Sequence, residues 1–303
     1  MIYLLGMAKT TVVPIGCKTA LNRVTGMPFR WSLNPYRGCS HGCHYCYAMA
    51  THAYYGLSAE DFAPTIFAKT NLADVLRREL ARPSWLREKV AIGTATDPYQ
   101  PCEGRLRITR AAIEAFHDRV SPISIVTKST LILRDLDLLA SLAGKTEVSV
   151  NFSITTLDPD TWRKIEPGTP PPWKRLQVMQ RLVEAGVRCS VFLAPILPGI
   201  TDSTESIEQV IRAAKEHGAA AVWSSTLRLV PLVKEHYYDF VGESFPDLIP
   251  RYERAFPGAN APRAYQDAIQ ARVDRIRAEY GFSPVERTAG SPQPAASQLS
   301  LAL

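Results

Sequence analysis

Six short apolar runs recur along the 303-residue chain: WSLN (31–34), VAIGT (90–94), ISIVT (123–127), VSVNFSI (148–154), CSVFLAPI (189–196) and AVWSSTLRL (221–229). Runs rich in β-branched residues and bounded by turn formers read as buried strands. Helical patterns separate them. Asn71 is placed to cap a helix with Leu72, Val75, Leu76 and Leu80 on one stripe. Another helix is expected over Thr109–Val120, and a third carries Leu176, Met179 and Val183 and ends at Gly186. Asp202 and Glu205 have the spacing of a capping box that opens a helix with Ile207, Val210, Ile211 and Ala214 inward. TIFAKT (65–70) reads as an extra short strand in the first long connection.

This alternation predicts parallel βαβ units in an α/β fold. A partial (β/α)6 barrel and an open doubly wound sheet both satisfy it, and periodicity does not choose between them. In either, ligands gather at the carboxyl ends of the strands. The expected organisation is a lead-in segment (1–30), the alternating core (31–230), a helical extension (231–286) that includes KEHYYDFV and AYQDAIQARVDRIRAEYGF and packs outside the core, and a flexible tail (287–303).

Just beyond the first strand, NPYRGCSHGCHYCYA (34–48) places Cys39, Cys43 and Cys46 in C-x3-C-x2-C spacing. Thiolates bind soft metals, and a cubane iron–sulfur cluster takes four ligands. Three cysteines on one loop hold three irons and leave the fourth open. Gly38 and Gly42 let the backbone turn tightly against the inorganic core. Zinc with His41 or His44 as a fourth ligand, and a closed cluster that only transfers electrons, are the competing readings. No second cysteine cluster follows Leu229, so an auxiliary cluster is not expected.

This loop, with Tyr45 just before its last cysteine, resembles the radical S-adenosylmethionine (SAM) superfamily. Together with GTATDPYQPCEGRLRITR (93–110), it looks like the spore photoproduct lyase-like branch, and most like an actinobacterial-type subgroup of it. The similarity runs from about Leu21 to about Tyr280. The resemblance implies a partial (β/α)6 TIM-like barrel, a [4Fe-4S] cluster and SAM as cofactors, and reductive cleavage of SAM to a 5′-deoxyadenosyl radical that abstracts hydrogen. It implies an electron donor such as flavodoxin or ferredoxin. A nucleic-acid lesion is one candidate substrate; a peptide, an RNA or a small molecule are others.

GTATD ends the second strand, where the resemblance puts the amino group of SAM, and Thr96 and Asp97 are the candidates. Hydroxyls and a carboxylate suit an ammonium. Lys128, after the third strand, pairs by resemblance with the carboxylate of SAM. Ser153 and Thr155, at the end of the fourth strand, are candidates for the ribose hydroxyls or carboxylate, while Val148, Val150, Phe152 and Ile154 face the helices. Backbone beside Tyr45 and the APILPG segment (194–199) is placed to hold adenine. Glu166 and Arg175 either close the substrate side or pair on the surface.

Cys189 shares strand parity with Val191 and Leu193 and reads as a buried structural thiol. Cys102 is a candidate catalytic hydrogen donor, as is Tyr99. The lyase family carries its donor cysteine about where Thr94 stands here, and Cys102 is eight positions further on. That departure argues against spore photoproduct repair itself.

The net charge of +6 is compatible with a polyanionic partner but contains no long basic block. No apolar run has the length of a membrane span, and MIYLLGM is too short for a signal-peptide core. A cytoplasmic location is expected, where six thiols stay reduced.

Overall fold

The structure, a computed structural model, describes residues 10–284, so the expected tail at 287–303 and the opening MIYLLGM lie outside the described residues. In chain order the strands are β1 (Thr11–Ile15), β2 (Asn22–Arg23), β3 (Trp31–Leu33), β4 (Tyr36–Arg37), β5 (Thr65–Lys69), β6 (Val90–Ile92), β7 (Ile123–Thr127), β8 (Val148–Ser153), β9 (Arg188–Ile196) and β10 (Val222–Thr226). Six of them, β3 and β6 to β10, pair in parallel, each with its neighbour in sequence among the six. β2 adds an antiparallel edge beside β3, and β10 forms the other edge. The sheet is therefore a partial (β/α)6 barrel, and all six expected strands belong to it.

Strand parity separates two environments. Ile123, Ile125, Val148, Val150 and Phe152 are buried against the helices. The opposite faces meet in the lumen, where Ser149 Oγ donates to Ser124 Oγ at 3.0 Å and Asn151 Nδ2 donates to the same oxygen at 3.0 Å. The helices bury the expected stripes, including Val75, Leu76, Met179, Val210 and Ile211. These merge with the strands into one core.

Several local expectations change. Asn71 holds the N-cap position of its helix, as expected, but its side chain makes no capping hydrogen bond; its amide instead accepts from Cys17 N at 2.8 Å and donates to Cys17 O at 3.0 Å, which ties the lead-in to the core. The Asp202–Glu205 capping box gives way to Ser203, whose hydroxyl accepts from Ser206 N at 3.0 Å. The helix expected over Thr109–Val120 runs Ile108–Asp118, because Val120 takes φ +47°. Leu182 rather than Val183 completes the buried stripe of the helix Pro172–Glu184. TIFAKT forms β5, in a separate three-stranded sheet with β1 and β4.

The helical extension divides. The helix Arg263–Glu279 packs outside against the helix Thr204–Glu216 and β10. The helix Pro231–Ser244 instead covers the cysteine loop, with Val233, Tyr237, Phe240 and Val241 in one apolar cluster with Cys39, Cys43 and Tyr45.

β4 delivers the chain into the cysteine loop through Gly38, at φ +81°. A Cβ there would collide with Thr65 O and lie 2.9 Å from Phe62 O. Gly38→Ala is expected to lower stability by about 1–3 kcal/mol from backbone strain alone. Thermal denaturation checks it, and an unchanged melting temperature would show the turn is not constrained as described.

Candidate active site

The loop Cys39–Cys46 is held from several sides before any cofactor is considered. Cys39 N donates to Phe62 O at 3.0 Å and His44 N donates to Ile165 O at 3.2 Å. Gly168 N donates to His41 O at 3.0 Å, an approach too close for any side chain at 168. From the end of β6, Thr96 Oγ1 donates to Gly38 O at 2.6 Å. Four residues on, in the same turn, Gln100 Nε2 donates to the same carbonyl at 3.2 Å and Gln100 Oε1 accepts from Ser40 N at 3.1 Å. Cys46 then starts the 3-10 helix Tyr47–Tyr55.

All three thiols line a cavity of about 390 Å3 at the carboxyl ends of the strands. Its wall also takes Thr94 to Asp97 from the turn after β6, Val126 to Lys128 from the end of β7, Ser153 from β8, and Phe192, Ala194 and Pro195 from β9. That volume lies within the range of small-ligand pockets, roughly 300–1,000 Å3. Among the described residues, no three His, Cys, Asp or Glu side chains converge so as to hold one ion. Each thiolate of a cubane binds a separate iron, whereas the donors of a tetrahedral zinc site share one centre. The donor set therefore fits a cluster better than zinc. His41 is turned onto Asp97, with Nδ1 3.3 Å from Oδ2. His44 stacks on Phe240 at 4.1 Å and meets His236, 3.2 Å away. Burial pushes all three thiols upward, Cys43 to about 12, so a metal or cluster bound there would have to displace their protons.

Asp97 is saturated by the protein. Its Oδ1 accepts from Thr127 Oγ1 at 2.8 Å and Tyr99 N at 2.9 Å, and its Oδ2 from Lys128 N at 2.7 Å. Burial works to raise this carboxyl, but the contact with His41 and these hydrogen bonds hold it below the usual range. Asp97 thus fixes the backbone from which Lys128 projects. The Lys128 ammonium sits 5.6 Å from the centre of the Tyr45 ring. Burial opposes its charge, yet Cys43 and Glu166 reverse the balance and raise its proton affinity.

Behind the loop lies a buried network whose place the sequence left open. Glu166 and Arg175 pair neither on the surface nor across the cavity mouth. Arg175 is fully buried and donates from Nη2 to Glu166 Oε2 at 2.5 Å, from Nη1 to Ser153 O at 2.9 Å and from Nε to Pro170 O at 2.8 Å. The Tyr45 hydroxyl donates to Glu166 Oε1, and Thr155 Oγ1 reaches the same oxygen at 3.2 Å. Burial alone would raise Glu166; Arg175 and then Lys128 more than reverse this and hold it at about 2.

The structure thus brings Cys39, Cys43, Cys46, Tyr45, Thr96, Asp97, Lys128 and Ser153 to one cavity. Thr155 lies behind its wall, on Tyr45 and Glu166. Cys102 does not line the cavity; it starts the short helix Glu103–Leu106 and packs against the main core. Tyr99 is fully buried outside it as well. Sequence reasoning missed Gln100 and the wall residues Met27, Phe29 and Arg228. The i, i+4 spacing of Thr96 and Gln100 was the one available signal.

With this geometry in place, comparison with known proteins is direct. The profile of the Radical SAM superfamily matches residues 33–214. An uncharacterized protein of Mycobacterium tuberculosis (strain ATCC 25618 / H37Rv) is 40% identical over 292 residues, covering 95% of this chain and 84% of the relative. One from Methanocaldococcus jannaschii is 27% identical over 270 residues, covering 89% and 93%. Among solved structures, spore photoproduct lyase complexed with dinucleoside spore photoproduct superposes with a TM-score of 0.67 at 18% identity, over 90% of this chain and 81% of that one. At that identity the likeness establishes the fold.

Proposed function

The chain belongs to the radical SAM superfamily, and we propose that it is a SAM-cleaving enzyme whose [4Fe-4S] cluster is held by Cys39, Cys43 and Cys46. The family generally binds that cluster and SAM. When bound, they supply a 5′-deoxyadenosyl radical that takes hydrogen from a substrate.

The observation that carries the reading is the opening of three thiols into a cavity lined by the ends of β6 to β9. In it, Lys128 receives the carboxylate of SAM as a point charge. The segment Gly93–Thr96 receives the amino group, Ser153 the ribose, and backbone beside Tyr45 and Ala194–Pro195 the adenine. Asp97 positions Lys128 through the amide of that residue. Glu166 and Arg175 fix the Tyr45 ring beneath the loop and keep water from that side.

The electron comes from a one-electron protein donor such as flavodoxin or ferredoxin. The six free cysteines suit a reducing compartment, and we place the protein in the cytoplasm. Among the described residues, no helix is long and apolar enough to cross a membrane. The test is anaerobic reconstitution followed by dithionite and SAM. Formation of 5′-deoxyadenosine is expected; its absence with a fully loaded cluster would overturn the reading.

A further inference from the structure

Two cations, Lys128 and Arg228, line the cavity near strand ends. Lys128 lies among Cys43, Glu166 and the Tyr45 ring. Arg228, two residues past β10, also lines the wall, yet its Nε is buried without a hydrogen-bond acceptor. No carboxylate among the described residues forms an ion pair with it. By contrast, Arg110, Arg134 and Arg175 each pair with a carboxylate. A buried donor without an acceptor is costly, and a ligand that supplies one removes the cost.

The backbone holds Arg228 in this position. β10 carries a register shift between Ser224 and Thr226, and a bulge re-aims the side chains that follow. Ser225, Thr226 and Arg228 all reach the cavity wall. Beyond them, Arg228 bridges Asn260, and Leu229 N donates to Ala259 O at 2.7 Å. The segment before the last helix thus ties down the backbone of Arg228 just beyond β10. Met27 and Phe29, from the turn between β2 and β3, complete an apolar wall of the same cavity.

We infer that Arg228 binds an anionic group of the substrate, a phosphate or a carboxylate carried near the hydrogen that is removed. This rests on the reading of the cavity as the chamber for SAM and substrate. SAM has one carboxylate, which Lys128 receives, so the fork of Arg228 is left for the second reactant. Guanidinium donors take either oxyanion in a bidentate pair.

The experiment is calorimetric titration of the anaerobic holoenzyme, saturated with SAM, with thymidylyl(3′-5′)thymidine and separately with N-acetylglycine. One probe is expected to bind the wild type, and Arg228→Gln to weaken it about tenfold or more, the loss expected for a charge-assisted bond. Arg228→Lys keeps a cation on the same position and retains more affinity than Arg228→Gln. Half-saturation by SAM, read from the paramagnetic resonance of the reduced cluster, stays within about twofold in both variants. Binding of neither probe, equal binding by wild type and Arg228→Gln, or an equal loss of SAM affinity overturns the assignment. A wild-type cluster signal that SAM does not move sinks the cavity reading itself, and this inference with it.

Discussion

Cys43→Ala is expected to reduce 5′-deoxyadenosine formation to the level of a reaction without enzyme. Cys43 is nearly buried, lines the cavity and lies within the electrostatic reach of Lys128. On the proposed reading its removal takes away one of three protein corners of the cluster, and thiolate ligation is what holds such clusters. Iron and labile sulfide fall together with activity. Cys189→Ala serves as the control, because that thiol is buried on β9, donates only to Val187 O at 3.5 Å and does not line the cavity. It leaves iron content and deoxyadenosine formation intact while costing a little stability for the small cavity left behind. Equal turnover by Cys43→Ala and wild type would remove the cluster from the chemistry.

The second large effect concerns stability. Arg175→Ala strands the Glu166 carboxylate in the interior, and breaking one partner of a buried pair costs about 3–5 kcal/mol. The direction of the Glu166 shift agrees: against burial, Arg175 and then Lys128 hold its carboxyl at about 2, below its ordinary 4.5. The sign follows from the direction. A carboxyl with a depressed folded value contributes fully above its unfolded value and loses that contribution as pH falls through the folded one. The gap between wild type and Arg175→Ala is therefore full at pH 7 and narrows below about 4.5. Urea denaturation of the metal-free protein across this range measures it. A gap independent of pH would mean that Arg175 acts through packing rather than charge.

The six strands were legible in the sequence because each is fixed locally, whereas their closure into a barrel came from the family resemblance and not from periodicity. VSVNFSI alternates Val148, Val150 and Phe152 toward the helices with Ser149, Asn151 and Ser153 toward the lumen, and β8 has that parity. The cysteine triad was legible because its donors are neighbours in sequence. What stayed hidden depends on partners far along the chain. Asn71 has the residue type and place of a cap, but Cys17 competes for its amide and wins both ends of it. TIFAKT reads as a strand, yet nothing in its pattern says that it pairs with β1 and β4 instead of the barrel.

Glu166 and Arg175 are the clearest case. Charged residues near a Pro-rich turn are usually exposed, and their burial follows only when the turn closes over the cysteine loop. There Gly168 meets His41 and Tyr45 reaches Glu166. Cys102 shows the reverse. Its position after the second strand suggested the catalytic edge, but the turn DPYQP carries it, half-buried, against the outside of the core, past the cavity wall that ends at Asp97 on this segment.

The central claim is that the fourth corner of the cluster receives SAM. Pulsed electron–nuclear double resonance on the reduced holoenzyme, with SAM labelled with 15N at its amino group, reads this directly. A hyperfine coupling from the label to the cluster is expected, together with a shift of the cluster signal on SAM addition. A signal unchanged by excess SAM, with a protein histidine nitrogen coupled to the cluster in its place, would contradict the account.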